Sequence, residues 1–154
     1  MIRPATVEDI PVIVELGSKL HIESSYRCHA FNKDKVAKLM ESLIVGGEYG
    51  VVFVAEIDGE IIGGIAGGID EWWFGDTLHA FDFSFFIAPE YRGGSAAFRL
   101  LLTFQEWAKI RGAVEIDIGI TTGIHEDKTE RFYEKMGYVK TGRTFGKKLE
   151  VSHV

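Results

Sequence analysis

Apolar positions change their period several times along the chain, and each change marks an element. Ile10, Ile13, Val14, Gly17 and Leu20 follow helical spacing behind Thr6 and Asp9. In that Thr-x-x-Asp arrangement each side chain can serve the other's backbone amide, so a first helix is expected from about Val7. After Asn32, residues Val36, Leu39, Met40, Leu43 and Ile44 form one stripe that Gly46-Gly47 stops, which predicts a second helix. The period then drops toward two. Val51-Val52-Phe53-Val54-Ala55 is rich in β-branched residues and leads to Asp58-Gly59, a strong hairpin signal, so antiparallel strands are expected over about 50–57 and 60–69. Leu78 to Ala88 reads as the next strand, with Phe81, Phe83, Phe85 and Ile87 on one face and Asp82, Ser84 and Phe86 on the other. Both faces are largely apolar, which places this strand inside a sheet rather than at its edge.

Helical spacing returns at Ala97, Leu101, Phe104 and Ala108, and Gly112 ends it. Val114, Ile116, Ile118 and Ile120 alternate with polar or small residues as in a half-buried strand. A last helix over about 126–136 carries Phe132, Tyr133 and Met136 and stops at Gly137. The tail from Tyr138 to about Val151 is most simply one or two closing strands. The order α, α, β meander, α, β, α, β predicts an α/β fold with a mixed central sheet flanked by helices. At 154 residues, without repeats or a linker-like tract, residues 1–154 are expected to form a single domain.

Charge and composition narrow the partners. The 17 Lys+Arg against 23 Asp+Glu leave a net charge of -6, which disfavours phosphate backbones, so nucleic acid is not expected and cationic partners are. No apolar run approaches the roughly 20 residues of a membrane span, and the first residues lack the apolar core of a secretion signal, so a cytoplasmic protein with no membrane association is expected. Cys28 has no partner for an internal disulfide and reads as a free thiol packed as a small hydrophobe. His21, His29, His125 and His153 lack metal-ligand spacing, so no metal is expected.

Candidate chemistry concentrates where the Leu78–Ala88 strand turns into the following helix. Arg92, Gly93, Gly94, Ser95, Ala96 and Ala97 bring a row of small residues to a helix N-terminus. The first amides there have no internal acceptor and lie at the positive end of the helix dipole, so a pyrophosphate can approach and be held, with Arg92 adding a charge-assisted contact. The plain alternative is that the glycines only relieve a tight turn. G-x-x-x-x-G-K-[ST] is absent, and no G-x-G-x-x-G opens a βαβ unit, so ATP, GTP and NAD are poor candidates.

At these residues the chain resembles the GNAT superfamily of acyl-CoA-dependent N-acetyltransferases. Arg92-Gly93-Gly94-Ser95-Ala96-Ala97 is similar to that family's R/Q-x-x-G-x-G/A segment, with Ser95 standing in for the first glycine of that pattern. Phe132-Tyr133-Glu134-Lys135-Met136-Gly137-Tyr138 is similar to its F/L-Y-x-x-x-G-F/Y segment, while Glu126 and Thr129 stand where the family often has Asn and Ala. The resemblance spans nearly the whole chain through the order of elements. It implies a GNAT-like fold, acetyl-CoA as cosubstrate with its pyrophosphate on residues 92–97, and pantetheine amides pairing with backbone at Phe85, Phe86 and Ile87. It also implies acetyl transfer to an amine of a small molecule or protein by direct attack in a ternary complex, and it makes a homodimer plausible.

Such a transfer needs a neutral amine, a stabilised oxyanion and a proton for the departing thiolate. The resemblance puts the Tyr133 hydroxyl near the coenzyme sulfur, and a phenol ordinarily stays protonated at neutral pH, which makes Tyr133 the candidate general acid. For the base, Asp82 comes first, because desolvation among aromatics would raise its pKa. His79 comes second, and Asp70 or Glu71 would line the acceptor mouth. Trp72-Trp73-Phe74 falls in a loop and reads either as a cap on the core or as an acceptor pocket or dimer contact. Gly63, Gly64, Gly67 and Gly68 read as bulges or close backbone packing. The alternative function is a non-catalytic acyl-CoA-binding regulatory module, and behind it a structural domain that binds no coenzyme.

Overall fold

A computed structural model of the chain describes residues 1–151. It divides into two compact units, Met1–Ile124 and His125–Val154. The first holds a five-stranded mixed sheet whose strands lie side by side in chain order: β1 (Ile2–Pro4), β2 (Gly50–Ile57), β3 (Glu60–Glu71), β4 (Leu78–Ile87) and β5 (Glu115–Asp117). The first four are antiparallel neighbours, and β5 runs parallel to β4. Helices α1 (Ile10–Glu23), α2 (Lys33–Val45) and α3 (Ala96–Ile110) flank the sheet.

The chain enters α1 through a tight 3-10 turn, Val7–Asp9, held by the reciprocal Thr6 and Asp9 capping contacts anticipated from their spacing. Arg3 clamps that turn to β2, donating to both Asp9 and Glu56. On one face of the sheet Ile10, Ile13, Val14, Met40 and Leu43 of α1 and α2 bury against Val52, Val54 and Ala66. On the other face α3 buries Leu100, Leu101, Phe104 and Ala108. Gly67 lets α3 come close: a Cβ there would meet the Phe81 carbonyl at 2.4 Å and the Phe104 ring at 2.6 Å. The glycines of β3 therefore serve close packing, as their placement in a strand implied.

Three expectations need correction. The β3–β4 register slips between Ala66 and Gly67, so that Ala66 faces Ser84 and Gly67 faces Asp82, leaving Phe83 as the extra residue of a bulge. Directly opposed residues share a face, so Phe81 sides with Ser84 and Phe86, and Asp82 sides with Phe85 and Ile87. The simple alternation read from sequence fails at that residue, because one inserted position inverts every side chain beyond it. Second, the alternating run Val114–Ile120 forms a strand only over Glu115–Asp117, and residues 138–151 form no strand. A period of two yields a strand only where a neighbouring edge accepts its hydrogen bonds, and among the described residues β5 ends the sheet. Third, Cys28 lies exposed in the short 3-10 segment Ser25–Cys28 instead of packing in the core.

The second unit contains α4 (Glu126–Lys135), which starts from His125 in the left-handed region. Thr129 Oγ1 donates to the His125 carbonyl, and Gly137, at φ 90°, takes the chain out of the helix.

Candidate active site

The turn after β4 is built from local constraints. Pro89 opens a 3-10 turn, Pro89–Tyr91, and the Ala88 amide returns to the Ile62 carbonyl of β3 at 2.8 Å. Gly93 sits at φ 91°, a conformation costly for any residue with a Cβ. A Cβ at Gly93 would meet no other atom within 4 Å, and at Gly94 only the Tyr91 carbonyl at 3.7 Å, so the outer side of the turn is open. Helix α3 then begins at Ala96, and its first i→i−4 bond is that of the Arg99 amide to the Ser95 carbonyl at 3.0 Å. The amides of Ala96, Ala97 and Phe98 precede that bond, and Ser95 makes no side-chain cap, so the helix start presents donors beside an uncrowded turn. These features fit a pyrophosphate.

Arg92 is placed differently from the simplest expectation. Its Nε donates to the Ile87 carbonyl at 2.9 Å, and its guanidinium pairs with Glu23 at the end of α1 at 2.7 Å. The side chain thus ties β4, the turn and α1 together beside the start of α3. Glu23 had no signal in sequence as its partner.

Between β4 and β5 the ladder covers only His79–Phe81 against Glu115–Asp117. Beyond it the bulge at Phe83 turns β4 while residues 118–121 leave strand geometry. Asp82 sits at this fork. Burial pushes its carboxyl up to about 6, opposed in part by hydrogen bonds from its own amide and from that of Gly119. Asp82 therefore bridges to the segment after β5 at the point where regular pairing has ended. The connection between α1 and α2 reaches the same segment: the Ser25 amide donates to the Thr122 carbonyl at 2.7 Å and Ser25 Oγ to that of Thr121 at 3.1 Å.

His79 lies three residues earlier on β4, opposite Asp70, on the sheet face that α1 and α2 share. Its Nδ1 is 2.9 Å from Asp117 Oδ2 of β5, and the Trp72 indole stacks on its imidazole with centroids 3.9 Å apart. Since a carboxylate accepts, Nδ1 carries the hydrogen and Nε2 is left as the second working nitrogen. Asp117 was not singled out from sequence. Its place in an alternating run made it look solvent-facing, and only the parallel pairing of β4 with β5 brings it to His79.

Tyr133 is buried on α4, with its ring 5.7 Å from that of Phe132 and 5.8 Å from that of Tyr138. Among the described residues, no group of three or more His, Cys, Asp or Glu is placed to hold a metal ion, and no helix is long and apolar enough to cross a membrane.

The mixed α/β sheet thus brings together a strand pair that forks, a small-residue turn and an open helix N-terminus. Residues 19–138 match the Acetyltransferase (GNAT) family, and the chain belongs to that family. Solved structures share the fold at low identity. They include glucosamine-6-phosphate N-acetyltransferase from Arabidopsis thaliana, with TM-score 0.75 and 17% identity over 97% of this chain and 98% of that one. AAC(6')-Iy in complex with the bisubstrate analog CoA-S-monomethyl-acetylneamine gives TM-score 0.76 and 19% identity, covering 98% of each chain. A transcriptional regulator from Bacillus halodurans C-125 gives TM-score 0.77 and 19% identity, over 97% of this chain and 99% of that one. No curated protein matches the chain.

Proposed function

We propose that the chain is an acetyl-CoA-dependent N-acetyltransferase that passes an acetyl group directly to an amine within a ternary complex. The observation that carries this reading is the short β4–β5 ladder leading, through the Pro89–Ser95 turn, to the open amides of α3 in a chain of the GNAT family. The amides of residues 93–97, with Arg92 beside them, hold the pyrophosphate, and backbone at Phe85, Phe86 and Ile87 lies along the pantetheine arm. Acetyl-CoA supplies a thioester carbonyl already activated toward an amine.

His79 is the base that the geometry favours. Asp117 orients it through Nδ1, Trp72 fixes its plane, and Nε2 accepts the proton of the attacking amine. Asp82, the other candidate, keeps the Gly119 amide and adds negative charge that favours an ammonium at the fork. As the C–N bond forms and the C–S bond breaks, the amine proton passes to His79, and the Tyr133 hydroxyl protonates the departing thiolate.

The test has two arms. Acetyl-CoA raises the melting temperature, since a ligand bound only by the folded chain must stabilise it. Coenzyme release is then followed across a panel of amines, where Tyr133→Phe lowers kcat about 10²-fold or more and leaves acetyl-CoA affinity nearly unchanged. Protection by acetyl-CoA with release for no amine identifies a non-catalytic binding module instead, and full turnover by Tyr133→Phe removes its assigned role.

A further inference from the structure

A continuous row of rings crosses the outer half of the β3–β4 hairpin. Phe74 stacks on Trp72 at 5.5 Å between centroids, and Trp72 stacks on His79 at 3.9 Å. His79 meets Phe81 at 5.6 Å, and Phe81 meets Phe83 edge to face at 5.4 Å. The row starts at a loop tip where Phe74 is 67% exposed and ends at the bulge, where Phe83 is 50% exposed. A hairpin needs only one buried face for stability, and rings left in water forgo the favourable transfer that burial would bring. Cross-strand partners place His79 and Phe81 on the face that α1 and α2 share, while the bulge sets Phe83 beside the fork of β4 and β5.

Charge on the same segment has one sign. No lysine or arginine lies between Lys38 and Arg92, whereas ten Asp and Glu do. At the row itself Asp70 lies opposite His79, Asp117 meets its Nδ1 and Asp82 follows Phe81, a local negative field that suits a cation carrying a ring, since an ammonium is drawn to aromatic faces and to carboxylates alike. The same field repels phosphorylated and carboxylated acceptors.

We propose that the acceptor is an arylalkylamine, a primary amine joined by a short chain to a flat aromatic ring. Its ring lies on the Phe81–Phe83 end of the row, and its nitrogen meets His79 Nε2. This inference rests on the acetyltransferase reading above and adds the class of acceptor. Phe83 is then a residue of specificity, and Trp72, stacked on the imidazole, orients His79.

The test measures coenzyme release by the full chain with tryptamine and phenethylamine against hexylamine and spermidine, which carry ammonium groups and no ring. Ring amines are expected to show at least about 10-fold higher kcat/KM. Phe83→Leu, which keeps an apolar side chain at a half-exposed position, raises the KM for tryptamine about 10-fold while the KM for acetyl-CoA holds. Equal kcat/KM for hexylamine and tryptamine overturns the proposal, as does an unaltered tryptamine KM in Phe83→Leu. A dimer in sedimentation that Phe74→Ser and Trp73→Ser dissolve also overturns it, by giving the rings a different occupant. Release with none of the amines, while acetyl-CoA still protects the fold, removes the catalytic reading itself, an outcome distinct from turnover without ring preference.

Discussion

Replacing Asp82 by Asn should make the protein more stable. Burial holds the Asp82 carboxyl at about 6, against an ordinary value of 3.8, so ionising it costs more in the folded chain than in the unfolded one. Below pH 3.8 both states keep the proton and the group contributes no difference. Between 3.8 and about 6 the unfolded chain ionises while the folded chain still holds its proton, so stability falls as pH rises through that window. Above it the deficit is constant, at most ~3 kcal/mol for a gap of about two pH units. Asn keeps an oxygen to accept the Gly119 amide and removes the charge, but it brings an NH2 group that needs partners of its own, which costs about 1 kcal/mol. The expected net gain at pH 8 is therefore about 1–2 kcal/mol, a rise of roughly 3–6 °C in Tm for a chain of this size. Urea unfolding of both proteins at pH 8 and pH 4 measures it, and the gain should shrink close to zero at pH 4. A gain of equal size at both pH values, or a loss at pH 8, would refute the argument that a buried charge is what Asp82 costs the fold.

Two further changes probe the turn and the sheet. Glu23→Gln releases Arg92 from its 2.7 Å ion pair, so acetyl-CoA should bind about 3-fold tighter by calorimetry; weaker binding would mean that Glu23 aims Arg92 at the turn rather than competing with the anion. Gly67→Ala drives a Cβ to 2.4 Å from a carbonyl oxygen and 2.6 Å from the Phe104 ring, which should cost about 3 kcal/mol in urea unfolding, and a loss under 1 kcal/mol would show that α3 can shift outward freely.

Much of this architecture was legible because local signals agreed with one another. Thr6 and Asp9 mark the entry to α1, Asp58-Gly59 turns β2 into β3, and the small residues from Gly93 onward announce the start of α3; each is a backbone requirement that few residue types meet. The His79–Asp117 pair was illegible for the opposite reason. It depends on a parallel pairing across 38 positions, and neither residue's immediate neighbours carry any trace of it. The tail shows the same limit: Val139, Phe145, Leu149 and Val151 read as strand material, yet all are exposed, because periodicity states a capacity to pair and is silent on whether an edge is offered.

The bulge at Phe83 was hidden from the sequence for a related reason. Had β4 continued without an extra residue, Asp82 would share a face with Ser84 and Phe86, in line with the alternation of the sequence. The slip instead moves Ser84 and Phe86 to the face of His79 and Phe81, and Phe85 and Ile87 to the face of Asp82, where Gly67 meets α3. Period two sets the Asp82 carboxyl on the α3 face of the sheet and the His79 imidazole, with its row of rings, on the face of α1 and α2. Residues three apart on any strand face opposite ways, so that separation needs no bulge; what the slip decides is that the apolar Phe85 and Ile87, rather than Ser84 and Phe86, continue the face of Asp82. The pairing forgone at Phe83 is thus coupled to the apolar surroundings whose burial holds the Asp82 carboxyl up.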